Sequence, residues 1–493
     1  FFATTHERGQ IHDAEMALTR DGRILGIKDV FLHDGGAYDP YGLTVPINSQ
    51  CTLLGPYVVP NYDSTFTQVF TNLTLVTPYR GAGRQHGVFV MERLLDFAAH
   101  ELNIDRAEIR RRNLIPADAF PYKNEIIFQD FQPLEYDSGN YEPVLDMALE
   151  AIGYKAFREE QAAARRHGRH LGIGVACYVE GTGIGPYEGA KVQVQSNGKV
   201  SVATGIGTQG QGHFTVFAQI AADQLGVAVT DVDVVTGDTD QFYWGAGTFA
   251  SRGALVAGNA VNEASKVVRK KALKLASGLF ECAEEDLVLE DGKVSIVGIP
   301  EKFVSLGDLA GRANPMRGAV QPGTEPGLES TQYFGPPMGA TANGVHAMIV
   351  EMDPRTFDLK ILKYVVVHDC GTVINPMILA GQIHGGVAQG IGNAFYEKLV
   401  FDDQGQLLNA SLADYLLPTA LEIPRIGLGH TVTRSPLNPM GIKGAGEAGA
   451  IPVGALFAQA IEDALDLERR GVELLEIPLS PSQLFELTRS APG

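Results

Sequence analysis

Glycine falls in tight clusters between apolar runs, and this pattern constrains the fold more than any other feature of the chain. The clusters are Gly81-Ala82-Gly83, Gly205 to Gly212, Ala246 to Gly253, Gly381 to Gly392 and Gly441 to Gly449. Glycine makes up 57 of the 493 residues, against a usual share of about 7%. Placed between strand and helix patterns, these glycines read as tight turns and close backbone approaches, not as linkers. The run from Gly381 to Gly392 lies inside a helical pattern, where each glycine costs about 1 kcal/mol against alanine. It therefore needs a reason, either close packing or a ligand.

Hydrophobic residues at 45% and charged residues at 20% describe an ordinary globular protein and exclude disorder as the main state. The length allows about two or three domains. A net charge of −19 argues against nucleic-acid binding and against anionic membrane surfaces. No apolar stretch reaches the roughly 18 residues of a membrane span. The four cysteines, Cys51, Cys177, Cys282 and Cys370, show no CxxC spacing. They suggest a reducing, cytoplasmic setting. They are also too few for two cysteine-ligated iron–sulfur clusters, which need about eight ligands. The chain opens at Phe1 almost directly into strand-like sequence. This reads as a fragment, a processed chain or one piece of a split protein.

Residues 1 to 76 alternate apolar and polar positions, predicting sheet with turns. Residues 87–102 and 106–113 show helical spacing, the second helix capped by Asp105 and Glu108. Residues 116–140 read as a connecting segment containing a domain boundary, giving domains of 1–120 and 121–493. Beyond it, helices are expected near 142–152 and 156–167, then a buried strand at 171–179. A hairpin is expected around Asn197-Gly198, and a helix after Gly212. The pattern continues with a strand at 230–236, a long helix at 254–279 and hairpins at 286–297 and 344–367. Helices near 376–395 and 451–466 complete it. Strands and helices mix without regular alternation, so the fold class is α+β in two domains.

Gly205-Ile206-Gly207-Thr208-Gln209-Gly210 matches GxGxxG, with Asp231 about 20 residues on. This admits a nicotinamide-dependent dehydrogenase as one reading. Against it, the preceding strand belongs to the Asn-Gly hairpin and so runs antiparallel to its neighbour, whereas the dinucleotide fold needs a parallel crossover unit. A glycine loop opening a helix still offers backbone N–H groups to an anion. Gln209 and Gln211 add amides suited to a heterocycle edge. Glu447 sits on a glycine-rich turn before an apolar helix, with Lys443 as its only nearby partner in sequence. It suits a general base or, more plainly, a helix-terminal acid. Arg80 and Arg84 flank their own glycine pair. His368-Asp369-Cys370 could suggest a metal, but alternate strand residues face opposite ways.

Taken in order, these segments resemble the molybdenum-binding large subunit of the xanthine dehydrogenase and aldehyde oxidase family. The pieces that carry the resemblance are Pro78 to Arg84, Gln209 to His213, Gly237-Asp238-Thr239-Asp240, Ala250-Ser251-Arg252, Gly381 to Gly392, and Lys443 to Glu447. Together they cover nearly the whole chain. The resemblance implies two mixed α/β molybdopterin-binding domains with the cofactor at their interface. That cofactor is a molybdenum–molybdopterin cytosine dinucleotide, its metal held through the pterin dithiolene and by no protein ligand directly. It implies Glu447 as catalytic base and Arg80 beside the metal. It implies Gln209, Gly210, Gln211, Gly212, His213, Ala250, Ser251, Gln389 and Lys443 around the pterin.

The implied reaction hydroxylates an aldehyde or N-heteroaromatic carbon with water as oxygen source. Electrons pass to a [2Fe-2S] small subunit and an FAD-binding medium subunit, in an assembly expected to be a dimer of heterotrimers. Three departures qualify this. Gly81 stands where carbon monoxide dehydrogenases of the family carry a copper-binding cysteine, giving a form II-like loop. Ala82 stands where xanthine-specific members carry a phenylalanine. Family subunits also have a longer N-terminal part with another glycine loop, which a separate chain could supply. The competing readings are the nicotinamide dehydrogenase and a non-catalytic, incomplete subunit.

Overall fold

The computed structural model describes residues 4–129, 131–314 and 325–489. The chain runs β1 (Gln10–Leu18), β2 (Ile24–Asp34), α1 (Thr44–Thr52), β3 (Tyr62–Val69), α2 (Arg84–Leu102), α3 (Arg106–Asn113), β4 (Tyr122–Ile127), β5 (Pro133–Tyr136), α4 (Tyr141–Ile152) and α5 (Tyr154–Arg166). It continues with β6 (His170–Thr182), β7 (Glu188–Val194), β8 (Val200–Thr204), α6 (His213–Leu225), β9 (Val232–Thr236) and α7 (Gly258–Phe280). Then come β10 (Leu287–Glu290), β11 (Lys293–Ile296), β12 (Ile299–Ser305), α8 (Leu306–Arg312), β13 (Glu329–Phe334), β14 (Ala340–Met352) and β15 (Leu359–Asp369). The last elements are α9 (Pro376–Ile391), β16 (Ile426–Thr431), α10 (Val453–Leu465) and α11 (Pro481–Arg489). The α+β class expected from the sequence is correct. None of the described helices is long and apolar enough to cross a membrane.

Two four-stranded sheets organise the molecule, with strand orders β13-β7-β8-β9 and β16-β15-β14-β6. β6 and β14 pair antiparallel over their full length, from Ala340 opposite Thr182 to Met352 opposite His170. Both are buried almost throughout, because α10 covers one face and α4 packs on the other. That two-sided cover explains why these strands read as continuous apolar runs without alternation. The other sheet packs under α6 and α7, whose small residues Ala218, Ala221, Ala222, Ala260, Ala264 and Ala272 let the helices lie close.

The first 113 residues are joined to the rest by buried charge. Arg110 lies 2.7 Å from Glu92 and 2.9 Å from Asp96, while Arg93 reaches Asp96 at 2.7 Å and Glu462 on α10 at 2.5 Å. The Tyr57 hydroxyl donates to Glu92. These groups are all but closed to solvent, so the acids and bases must compensate one another. The ties fix the α2–α10 angle and, with it, the loops leading into both helices.

Four sequence expectations need correction. Residues 1–76 contain α1 as well as sheet, because that segment lacks a polar face and shows no helical period. The connecting segment 116–140 holds the β4–β5 hairpin. The long helix begins with a π-turn at Gly253–Ala257 before α7. The chain also goes on beyond α10 to α11, whose Leu484 fills the apolar core. Asp105 caps α3 as expected, accepting from the N–H groups of Ala107 and Glu108. Replacing Asp96 by alanine strips one partner from each of Arg93 and Arg110. It is expected to cost about 3–5 kcal/mol, read as a drop in the urea unfolding free energy.

Candidate functional site

The glycine clusters converge on one cavity of about 1240 Å³, larger than the ~300–1,000 Å³ of common small-molecule sites. Most of its wall comes from five separated stretches, residues 78–84, 209–216, 246–254, 370–389 and 442–447, with further contributions from 41–48, 129 and 184–185. Gly210, Gly247 and Gly381 face open space, since a Cβ built there meets nothing within 4 Å. At these three points the wall is bare backbone. At the base of the loop after β8, Gly212 adopts φ 77° and starts α6 with no side-chain cap. The first-turn N–H groups of α6 thus remain available to an anion.

Other glycines serve packing. Gly386 on α9 lies against Gly449, where an added Cβ would stand 2.8 Å from the Gly449 Cα. A Cβ on Gly449 would meet the Ile383 carbonyl at 2.3 Å. Helix α9 is thereby pressed onto the 441–449 segment at backbone distance. This separates the two explanations open for the Gly381 run. Gly386 is there for packing, while Gly381 and Gly385 line the cavity.

Glu447 projects from that segment with 8% of its surface exposed. Its Oε1 accepts from the Gly81 N–H at 2.9 Å and lies 3.4 Å from Arg84. Its Oε2 lies 2.9 Å from the Ser251 hydroxyl. Burial works to raise its pKa, but the Arg84 guanidinium, the Ser251 hydroxyl and the Gly81 N–H outweigh burial and hold it below the ordinary carboxylate value. Glu447 is therefore ionised at neutral pH. Lys443, its expected partner, turns elsewhere. The ammonium donates to Thr433 at 2.8 Å and to the Ser138 carbonyl at 3.1 Å, with Asp369 at 3.9 Å. The local sequence could not show this, because Arg84 arrives from 363 positions away.

Arg80 and Gln389 meet at this place. The Arg80 guanidinium donates to the carbonyls of Gly446 at 2.6 Å and Gln382 at 3.0 Å, and to Gln389 Oε1 at 3.3 Å. Ala250 and Ser251 occupy consecutive left-handed conformations, φ 47° and 50°. Such strain costs about 1–3 kcal/mol per residue and is held by the surroundings. Here the Ala250 carbonyl is fixed by the Gly183 N–H, and Ser251 by its carboxylate contacts. Gln209 and Gln211 sit farther along the cavity and bond to each other, Gln211 Nε2 to Gln209 Oε1 at 3.2 Å. His213 is buried against Gly253 and Phe217. Burial pulls its pKa down to about 4, so its ring is neutral.

Two further carboxyls were not singled out by sequence. Glu180, near the end of β6, is wholly buried and lies 2.7 Å from the Ser251 hydroxyl. Glu7 accepts from the Tyr79 N–H, and burial raises its pKa to about 7. An acid interrupting the apolar run of β6 was the one available signal for Glu180. His368, Asp369 and Cys370 go separate ways: His368 against His430, Asp369 to Thr433 and the Gly371 N–H. Among the described residues no group of three or more such side chains could hold a metal.

The nicotinamide reading fails on geometry, though not for the reason expected. β8 is antiparallel to β7 but parallel to β9, connected through α6, so a local crossover unit does exist. However, Asp231 precedes β9. It stands one strand length, roughly 16 Å, from the loop end of the sheet, whereas a ribose-binding acid belongs at the carboxyl ends of the strands.

A large cavity with bare backbone at Gly210, Gly247 and Gly381, an uncapped helix terminus and the Arg80 guanidinium at its wall suits a bulky anionic cofactor. Comparison with known proteins names that cofactor. The molybdopterin cofactor-binding domain matches at residues 147–424, and a second domain of the same description matches at residues 1–114. The chain belongs to this molybdopterin cofactor-binding family. It is 37% identical over 490 residues to the 6-hydroxypseudooxynicotine dehydrogenase complex subunit gamma of Paenarthrobacter nicotinovorans, covering 98% of this chain and 60% of that one. It is 36% identical to the carbon monoxide dehydrogenase large chain of Hydrogenophaga pseudoflava, covering 96% and 60%. The crystal structure of quinoline 2-oxidoreductase from Pseudomonas putida 86 superposes with a TM-score of 0.92 at 37% identity, covering 100% of this chain and 63% of that one. The chain spans about three-fifths of the length of the curated relatives it matches. Gly449→Ala is expected to push α9 away and cost about 1–3 kcal/mol. It should loosen Gln389 and Arg80 together, measured by urea unfolding and by cofactor retention on gel filtration.

Proposed function

We propose that this chain is the catalytic molybdenum subunit of a hydroxylase acting on an aldehyde or N-heteroaromatic carbon, with water as the oxygen source. The observation that carries this reading is Glu447, an ionised carboxylate held by Gly81, Arg84 and Ser251 at the wall of the cavity. When bound, the molybdenum–pterin group supplies Lewis acidity toward water and accepts the electron pair. The residues around the cavity suit its cytosine dinucleotide form. Gln209, Gly210, Gln211, Gly212 and the α6 terminus with His213 would receive the anionic end, with Ala250, Ser251 and Gln389 nearer the metal end. Lys443 would act through its backbone and by bracing the 441–449 turn.

Glu447 removes the proton from the attacking oxygen. Its depressed pKa keeps it unprotonated and ready near neutrality, while its burial excludes bulk water from the proton's path. Arg80, tied to the Gly446 and Gln382 carbonyls, fixes the base segment and α9 in one position and places a positive charge beside the reacting carbon. Gly81 and Ala82 place no large side chain of their own beside Arg80, and the Gln85 amide fills the space a Gly81 Cβ would enter. Positions 81 and 82 themselves supply neither a sulfur to hold copper nor an aromatic ring to stack on a purine. Relatives named for nicotine and quinoline substrates favour the N-heteroaromatic class over carbon monoxide.

The same reading divides the chain near residue 120 and places it in the cytoplasm. It supplies a [2Fe-2S] small subunit and an FAD-binding medium subunit as partners, since four scattered cysteines cannot hold the electron-transfer clusters. Glu447→Gln tests it, keeping the shape and removing the basicity. Turnover should fall roughly 10²- to 10⁴-fold with molybdenum content unchanged. A molybdenum-loaded variant with full turnover contradicts the base assignment.

A further inference from the structure

Glu180 is an acid in a mostly apolar and almost wholly buried strand, and the hydrogen bonds around it fix its protonation state. Its Oε1 lies 2.7 Å from Ser251 Oγ, and its Oε2 has no hydrogen-bond partner among the described residues. The same Ser251 Oγ lies 2.9 Å from Glu447 Oε2 and accepts the Glu447 N–H at 3.1 Å. A serine hydroxyl has one hydrogen and two lone pairs. One lone pair is taken by the Glu447 N–H. The single hydrogen satisfies one carboxylate. The contact to the other carboxyl then joins two oxygens and requires a hydrogen from that carboxyl. Two ionised carboxylates cannot both be served, so this pair holds one proton.

The partners decide which group carries it. Glu447 has the Gly81 N–H and Arg84. Glu180 makes no ion pair within 4.0 Å among the described residues, and it has one orphaned oxygen, which a neutral acid tolerates better than an anion. We propose that Glu180 is a positioning residue that stays a neutral acid, donating to Ser251 so that Ser251 donates to Glu447 and holds the base ionised and aimed into the cavity. The inference rests on the reading of Glu447 as the base.

The electrostatics run the same way. Burial lifts the Glu180 pKa well above the ordinary carboxylate value and the Glu447 charge lifts it further, against the pull of Arg84 and Ser251. The titratable and charged groups facing the pair are Arg80, Arg84, the Tyr178 phenol and, across Glu447, Glu7. Raising the pH far enough to ionise Glu180 places a second carboxylate beside the first. Ser251 is then drawn between two anions, and Glu447 loses its fixed aim. Activity should therefore fall on the alkaline side.

The test uses the natively isolated, cofactor-loaded subunit complex, with infrared spectra and pH–rate profiles of the wild type, Glu180→Gln and Glu180→Ala. The glutamine can donate to Ser251 but cannot ionise. The wild-type minus Glu180→Gln difference spectrum at neutral pH should contain a protonated-carboxyl band, which sets Glu180 apart from other buried acids such as Glu7. Glu180→Ala should lose roughly 10- to 100-fold in kcat, the worth of a hydrogen bond to a charged group, with little change in KM. Glu180→Gln should recover most of that loss and shift the alkaline limb upward. A difference spectrum without that band, or a glutamine variant as slow as the alanine one, overturns the proposal. The infrared comparison needs only the near-isosteric glutamine variant, so a misfolded alanine variant leaves it decisive. Failure of the base reading shows separately, as full turnover in Glu447→Gln.

Discussion

The carboxylate of Glu447 is the point on which the rest of the site depends. Three stretches of chain meet at it: Gly81 and Arg84 at the start of α2, Ser251 ahead of α7, and the 441–449 turn that carries it. Glu180 joins through Ser251. A buried anion is costly unless its lone pairs are filled, so each of these segments must arrive in register. Glycine makes that approach possible. The Gly444 backbone passes so close to Ser251 that a built Cβ would lie 2.2 Å from the Ser251 carbonyl. Gly386 and Gly449 allow α9 to close over the same turn. The glycine richness that dominates the sequence is therefore the steric counterpart of one electrostatic requirement.

The scaffold delivers those segments with little freedom. β6 and β14 form a buried pair from which Glu180 and Thr182 project, and Thr182 accepts the Gly444 N–H at 2.9 Å. The Arg93, Arg110, Asp96 and Glu462 network locks α2 to α10, the helix that follows the 441–449 turn. Strain at Ala250 and Ser251 is supported by these rigid neighbours. Elsewhere along the cavity, the Gly210 backbone and the Gln209 and Gln211 amides lie beside the uncapped start of α6, suited to an anionic group.

Much of this was legible in the sequence. Helical period at 87–102 and 106–113, the Asn-Gly turn and the buried run at 171–179 announced α2, α3, the β7–β8 hairpin and β6. The glycine loops, Arg80, Gln389, Ser251 and Glu447 likewise fall at one cavity. What the sequence concealed was of two kinds. α1, α11 and β16 take their form from what they pack against, so their local pattern says little. The partners of Glu447 are long-range: Arg84 and Ser251 are invisible from Lys443 to Gly449, and Lys443, adjacent in sequence, faces Thr433 and Asp369 instead. The parallel β8–β9 pairing was hidden for the same reason, since a hairpin signal specifies only one edge of a strand.

The central claim is that this cavity holds a molybdenum–pterin dinucleotide. It is tested most directly by the metal and released-nucleotide content of the natively isolated subunit together with whatever co-purifies. The account predicts molybdenum and CMP, on acid hydrolysis, in equal and stoichiometric amounts. A preparation containing the intact subunit with its partners but no molybdenum, or with a bound nicotinamide dinucleotide in its place, would contradict it.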